Sequence, residues 1–246
     1  MHRFFVSPDC LQGGRVAFPA ETEHQLRRVL RLLPGQQVIV LDNRGSEFEV
    51  ELDADAGGLL GGRVLASRQA AGEPLTRLTL YLCLSQREKF EWMLQKCTEV
   101  GAAGFVPVIS SRSLVQEAQG VEKKLPRWQK IIQEAAEQSG RGCIPALEAV
   151  QSFMQAVQTA AGSALALIPW EGEAAHSLSA ALAGLPPGGQ QVAALIGPEG
   201  GFSVEEIDAA RAAGIQPVTL GRRILRMETA AVVTAALVLH ERGEMA

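Results

Sequence analysis

The chain has 246 residues, 47% of them hydrophobic, with 23 Lys and Arg against 27 Asp and Glu and a formal net charge of −4. That is enough apolar material for one large or two modest domains, yet no apolar run approaches the roughly 20 residues that span a bilayer. MHRFFVSPDC holds no apolar signal core behind a basic start, so a cytoplasmic protein without a membrane partner is expected. Cys10, Cys83, Cys97 and Cys143 are dispersed without a C-x-x-C pair, which argues against a zinc knuckle, a disulfide framework or any metal site. The acidic balance gives no global sign of nucleic acid, although a local basic face remains open because distribution matters more than the total.

The first seventy residues read as β-rich. GGRVAF, QQVIVL, SEFEVEL and GGRVLAS are short strand candidates. In SEFEVEL, Phe48, Val50 and Leu52 alternate with Glu47, Glu49 and Glu51, the period-2 pattern of a strand with one wet face. DNRG between the second and third runs predicts a hairpin, and so many short strands predict a small barrel. ETEHQLRRVLRLLPG interrupts them with a predicted helix. Thr22 and Gln25 have capping-box spacing, Leu26, Val29, Leu30 and Leu33 recur at helical intervals, and Pro34-Gly35 ends the run. His24, Arg27, Arg28 and Arg31 share the remaining surface, which reads either as a solvated basic face or as one that contacts RNA.

RQAAGEPL marks a domain boundary near residues 68–75. Beyond it the rhythm changes to TRLTLYLCLS (strand), REKFEWMLQKCTEVG (helix), GFVPVIS (strand) and LPRWQKIIQEAAEQSG (helix). ALALIP, QVAALIG and IQPVTLG follow as strands, with helices predicted over 203–213 and 228–242. Such alternation implies an α/β domain with a mostly parallel sheet.

Three of these strands end in unusual turns: LIPWEG, LIGPEGG and LGRRILRMETA. Ligands of open α/β sheets bind at the carboxyl ends of strands, so three such ends together would make a site. None matches G-x-G-x-x-G, and LIGPEGG carries Glu199 with no lysine after its last glycine, which removes the phosphate-cradling pattern. Ser203 and Glu206 have capping-box spacing and Phe202 and Ile207 that of a hydrophobic staple, so a helix should begin at Ser203 and leave Gly197 to Gly201 as a tight loop. That loop either offers backbone groups to a flat ligand or is an ordinary connection. Glu228 stands at the start of the apolar helix AAVVTAALVLH, where a carboxylate complements the helix dipole.

LIGPEGGFSVEEI followed by LGRRILRMETAA, with LQKCTEVG, PVISSRS and RWQKIIQEAAEQSGR before them, resembles the bacterial small-subunit ribosomal RNA uridine-N3 methyltransferase family of the SPOUT superfamily. The resemblance runs over nearly the whole chain. It implies a PUA-like RNA-binding barrel over 1–72 and a knotted methyltransferase domain over 73–246, a homodimer, and 16S rRNA or the assembled small subunit as partner. The implied cofactor is S-adenosylmethionine, held by Leu167, Pro169, Ile196, Gly197, Glu199, Gly200, Leu220, Gly221, Ile224, Leu225 and Met227. Methylation at N3 needs a base and a positive group beside the uracil oxygens. Arg112, Arg141 and Arg226 are the candidate cations, each equally able to serve a phosphate, and Glu228 the candidate base. His24, Arg27, Arg28 and Arg31 would meet RNA. A related enzyme acting on tRNA, and a non-catalytic ribosome-assembly factor, are the alternatives.

Overall fold

The computed structural model describes residues 1–54, 59–116 and 119–245. The chain divides into two compact units, one of residues 1–73 and 136–144, the other of 74–135 and 145–246. The division falls at 73/74 rather than the expected 72/73. The unexpected part is that residues 136–144 pack with the N-terminal strands. Polar groups tie them there: the Phe5 N–H donates to Glu137 (3.2 Å), the Ile144 N–H to Asn43 Oδ1 (2.7 Å), and the Gly45 N–H to the Gly142 carbonyl (3.3 Å).

In the first unit, β1 (Arg3–Phe5), β2 (Leu11–Gln12), β3 (Arg15–Ala17), β4 (Gln37–Leu41), β5 (Ser46–Ala54) and β6 (Leu60–Gln69) form one sheet in the order β1-β4-β5-β6-β3-β2. β1 and β4 pair in parallel, and β4–β5, β5–β6, β6–β3 and β3–β2 are antiparallel. The β4–β5 hairpin forms as the DNRG turn predicts, with Val38 opposite Val50. Gly13 and Gly14, both at positive φ (58° and 75°), make the two-residue turn between β2 and β3, a conformation that favours glycine. Phe4, Val16, Leu26, Val38, Val40, Val50 and Leu52 build the core. Glu47 departs from the expected wet face: it is 5% exposed and held between Arg3 and Arg68.

The predicted helix is shorter and differently wound. It begins as α1 (Ala20–His24) with Pro19, not Thr22, at the N-cap, and continues as a π-helical turn over Gln25–Val29. The Leu30 N–H bonds back five residues to Gln25. That wider turn breaks the 3.6-residue register: Leu26 is fully buried, whereas Val29 and Leu33 are each 66% exposed.

The second unit contains β7 (Arg77–Cys83), α2 (Arg87–Val100), β8 (Gly104–Ile109), α3 (Gln119–Glu122), α4 (Leu125–Ser139, whose last turn belongs to the first unit), β9 (Ala146–Leu147), β10 (Gln151–Ser152), α5 (Phe153–Ala160), β11 (Leu165–Pro169), α6 (Leu178–Leu182), β12 (Gln191–Ile196), α7 (Val204–Ala212), β13 (Gln216–Val218) and α8 (Met227–Glu241). All pairings in its sheet are parallel, in the order β10-β8-β7-β12-β11-β13, with β9 also on β8. Central strands of such sheets are covered on both faces and read as continuous apolar runs; Leu78, Leu80, Tyr81, Leu82 and Cys83 of β7 are all buried. Across the helical layer the rings of Phe90 and Trp128 lie 4.4 Å apart. No helix among the described residues is long and apolar enough to cross a membrane.

β13 leaves the sheet between two arms of one loop. On one side the Trp170 N–H donates to the Val218 carbonyl (3.1 Å). On the other the Thr219 N–H donates to the His176 carbonyl (2.8 Å) and Leu178 N–H to the Thr219 carbonyl (3.4 Å).

Candidate functional site

The carboxyl ends of β11, β12 and β13 converge, each followed by one of the three turns singled out in the sequence. After β12 the chain closes a tight turn in which the Gly201 N–H donates to the Pro198 carbonyl (2.9 Å). Gly201 sits at φ +67°, a backbone conformation that opposes any side chain, and a Cβ there would push aside the exposed Glu171 carboxylate, whose Oε1 would lie 2.8 Å away. The turn is stopped by the predicted capping box: Ser203 Oγ accepts from the Glu206 N–H, Glu206 accepts from the Ser203 N–H (2.9 Å), and Phe202 and Ile207 are buried.

Glu206 does more than cap. Its other carboxylate oxygen accepts the Ser111 N–H at 2.8 Å, fastening the loop after β8 to the start of α7. In that loop the Ser110 and Ser113 hydroxyls lie 2.9 Å apart, and Arg112 Nη1 donates to the Gly200 carbonyl at 3.0 Å.

Between these turns lies a cavity of about 410 Å³. Its walls include Pro169, Glu171, the run from Ile196 to Phe202, the run from Ile224 to Glu228, Ala230 and Lys89. A second hollow of about 120 Å³ shares Pro169, Glu171, Ile224, Leu225 and Ala230 and adds Trp170 and the stretch from Thr219 to Arg223. The volume of the larger one is in the usual small-molecule range of about 300–1,000 Å³. Its charged wall is mixed, with Glu171, Glu199 and Glu228 against Lys89 and Arg226. Glu228 Oε2 is buried and has no hydrogen-bond partner among the described residues. A buried carboxylate oxygen without a partner is costly, and a ligand donor would relieve the cost.

Of the eleven expected cofactor residues, Pro169, Ile196, Gly197, Glu199, Gly200, Ile224, Leu225 and Met227 line the main cavity, and Leu220 and Gly221 the smaller one. Leu167 lines neither; it is fully buried within β11. Arg226 and Glu228 are cavity residues, while Arg112 stands behind Gly200. Arg141 requires a correction. It belongs to the first unit, is 3% exposed, and donates from Nε and Nη2 to the two carboxylate oxygens of Glu73 at 2.8 and 3.0 Å. Arg141 is thus committed to Glu73 and lines neither cavity, the arrangement of a structural cation.

His24, Arg27, Arg28 and Arg31 are all exposed, as the basic-face reading requires. Arg27 is answered by Glu23 at 3.2 Å, whereas no carboxylate pairs with Arg28 or Arg31 among the described residues. Arg31 holds φ +55°, a strained region for a non-glycine residue. Elsewhere in the unit Arg15 and Arg63 are matched by Asp53 and Glu51.

Lys89 and Glu171 were not anticipated. Glu171 lies inside the LIPWEG turn that follows β11. The only local sign of Lys89 is a cation in the first turn of a helix, where the dipole disfavours it.

The family model for the RNA methyltransferase domain matches residues 72–239. A Synechocystis protein called ribosomal RNA small subunit methyltransferase E is 37% identical over 96% of this chain and 76% of its own length. The Bacillus subtilis protein of the same name is 28% identical over 98% and 97%. The crystal structure of the Neisseria gonorrhoeae ribosomal RNA small subunit methyltransferase E bound to S-adenosyl methionine superposes with a TM-score of 0.85 at 29% identity, covering 98% of this chain and 97% of that one. With its parallel sheet and its cavity at the strand ends, the chain belongs to the RNA methyltransferase domain family and, within it, with the ribosomal RNA small subunit methyltransferases E.

Proposed function

We propose that the protein transfers the methyl group of S-adenosylmethionine to N3 of a uridine in small-subunit (16S) ribosomal RNA. The observation that carries the chemistry is the unpartnered, buried Glu228 Oε2 in the wall of a cavity made by three strand-end turns. Relatives named for small-subunit RNA methylation, one of them holding the same donor, support the substrate and the cofactor.

The cavity fits the donor. Its acids, Glu171, Glu199 and Glu228, suit a cation, and its turns present backbone groups close to the space because Gly197, Gly200 and Gly201 carry no side chain. Pro169, Ile196, Leu225 and Ala230 supply apolar wall that excludes water. When bound, S-adenosylmethionine supplies an electrophilic methyl on a positively charged sulfur, and the N3–CH₃ bond forms as the electrons of the S–CH₃ bond return to sulfur. Glu228 accepts the N3 proton, which its unoccupied lone pairs allow. Arg112 and Glu206 fix the β8 loop against the glycine turn.

The finer architecture is part of the same reading. The two-sided bonding of Val218 and Thr219 by the 170–178 loop supports a chain threaded through a loop, the SPOUT trefoil knot. Mixed pairing and short strands support a PUA-like role for the first unit, with residues 24–31 on RNA, although β1 and β2 stand as the edges of its sheet order. The half-buried Val232, Val233, Ala236 and Leu237 on α8 support a homodimer. The site of action is the cytoplasm, where the ribosomal subunit is. Nucleoside mass spectrometry of small-subunit RNA from a deletion strain is the test: N3-methyluridine should be missing and should return with the wild-type gene, and its persistence would refute the proposal.

A further inference from the structure

We infer that Lys89 is the cation that stabilises the uridine anion formed at N3, an inference that rests on the uridine reading above.

Lys89 is the third residue of α2, in a helical turn whose N–H groups already carry partial positive charge. Its neighbour Arg87 offsets that cost within the helix by pairing with Glu91 four residues on, at 3.0 Å. Lys89 does not. Its Nζ reaches Glu199 Oε1 at 3.3 Å, in the glycine turn after β12, and the lysine forms part of the wall of the main cavity. A local preference is broken here and the compensation lies in the site, the pattern expected of a functional residue.

The chemistry calls for such a group. Once N3 has lost its proton, negative charge spreads over N3 and the two uracil oxygens inside a partly dry cavity, and a fixed positive donor there lowers the barrier. Arg141 is committed to Glu73, and Arg112 spends Nη1 on the Gly200 carbonyl outside the cavity lining. Arg226 lines the cavity but is an exposed residue at the N-cap of α8. Lys89 lines the cavity, is about one-third exposed at 32%, and is steered by Glu199. An ammonium has three donors, so pairing with Glu199 leaves capacity for a uracil oxygen. The other charged groups lining the space are Glu171, Arg226 and Glu228; Glu88 and Glu91 are acidic neighbours on α2.

The test compares wild type, K89Q and K89R on purified small subunits that lack the modification, reading N3-methyluridine by mass spectrometry, kcat against pH, and the Kd of S-adenosylmethionine by calorimetry. K89Q should lose about 10²-fold in kcat, the usual effect of removing one preorganised donor. Its rising pH limb should move to higher pH, because an unstabilised N3 gives up its proton less readily. Donor affinity should stay within about fivefold, as for the loss of a part-exposed ion pair. K89R should recover most of the rate. Wild-type kcat and pH profile in K89Q would overturn the inference alone, as would a loss of rate matched by an equal loss of donor affinity, which would make Lys89 a prop for the turn. Absence of N3-methyluridine with the wild-type enzyme would overturn the uridine reading as well.

Discussion

Gly201 concentrates the demands of the site in one residue. Its φ of +67° opposes a side chain, and a Cβ there would lie 2.8 Å from Glu171 Oε1 and push that exposed carboxylate aside. Left-handed backbone costs a non-glycine residue about 1–2 kcal/mol, and displacing Glu171 would change a cavity wall. Gly201→Ala should therefore weaken S-adenosylmethionine binding by tenfold or more, on the order of 1.4 kcal/mol, while the protein still melts cooperatively. Calorimetric titration of the variant checks this, and wild-type affinity would show that the turn does not touch the donor. At this scale the sequence was informative where the chemistry is local: Gly197, Gly200, Gly221 and the Ser203–Glu206 box stand in turns whose shape their own residues dictate. It was uninformative where the partner is distant. Nothing near Arg141 announces Glu73, 68 residues away, and nothing near Lys89 announces Glu199, 110 residues away.

Among the elements, α2 and α4 are joined by a clamp. Glu91 of α2 accepts from Arg127 Nε and Nη2 of α4 at 2.7 and 2.9 Å and from Arg87 at 3.0 Å. These bonds, Arg127 first, hold the Glu91 carboxyl down at about 2 from an ordinary 4.5. A depressed carboxyl contributes stability that is present above its unfolded value and is lost as pH falls through the folded one. The gap in melting temperature between wild type and Glu91→Gln should thus be widest above pH 5 and close between pH 4.5 and 2, which scanning calorimetry across that range would show. A constant gap would mean that the clamp acts through packing alone. The turn over 20–31 was the least legible element. Its apolar spacing fits an α-helix, but the π turn at Gln25–Val29 and the left-handed Arg31 accompany tertiary packing of Leu26 into the core of the first unit, which no local pattern encodes. If its basic face meets RNA, replacing Arg27, Arg28 and Arg31 by Gln should reduce the salt slope of RNA binding by about 2–3 and spare donor affinity. Filter binding over a salt series decides it, and an unchanged slope would return the face to solvent.

For the molecule as a whole, strand–helix alternation made the parallel sheet of the second unit legible, because buried parallel strands are apolar throughout. The assignment of 136–144 to the first unit was not legible, since it depends on hydrogen bonds that Glu137, Glu73 and Asn43 accept from backbone N–H groups far away in sequence. Helix α8 buries Met227, Ala231, Thr234, Ala235, Val238 and Leu239 against its own unit and leaves an apolar side with Val233 and Leu237 half covered. Covering that side with a second copy predicts a dimer at low micromolar concentration by sedimentation. Val233→Asp should yield a folded monomer, and a wild-type monomer with full activity would exclude the dimer.

The most direct measurement is reconstitution: purified protein, S-adenosylmethionine and small ribosomal subunits lacking the modification, followed by nucleoside mass spectrometry of the RNA. N3-methyluridine should accumulate with the wild-type protein and fall by about 10²-fold or more with Glu228→Gln, the loss typical of removing a general base. A methyl group found on a ribose, on another base or only on transfer RNA, or a Glu228→Gln protein as active as wild type, would contradict a uridine-N3 enzyme built around that carboxylate.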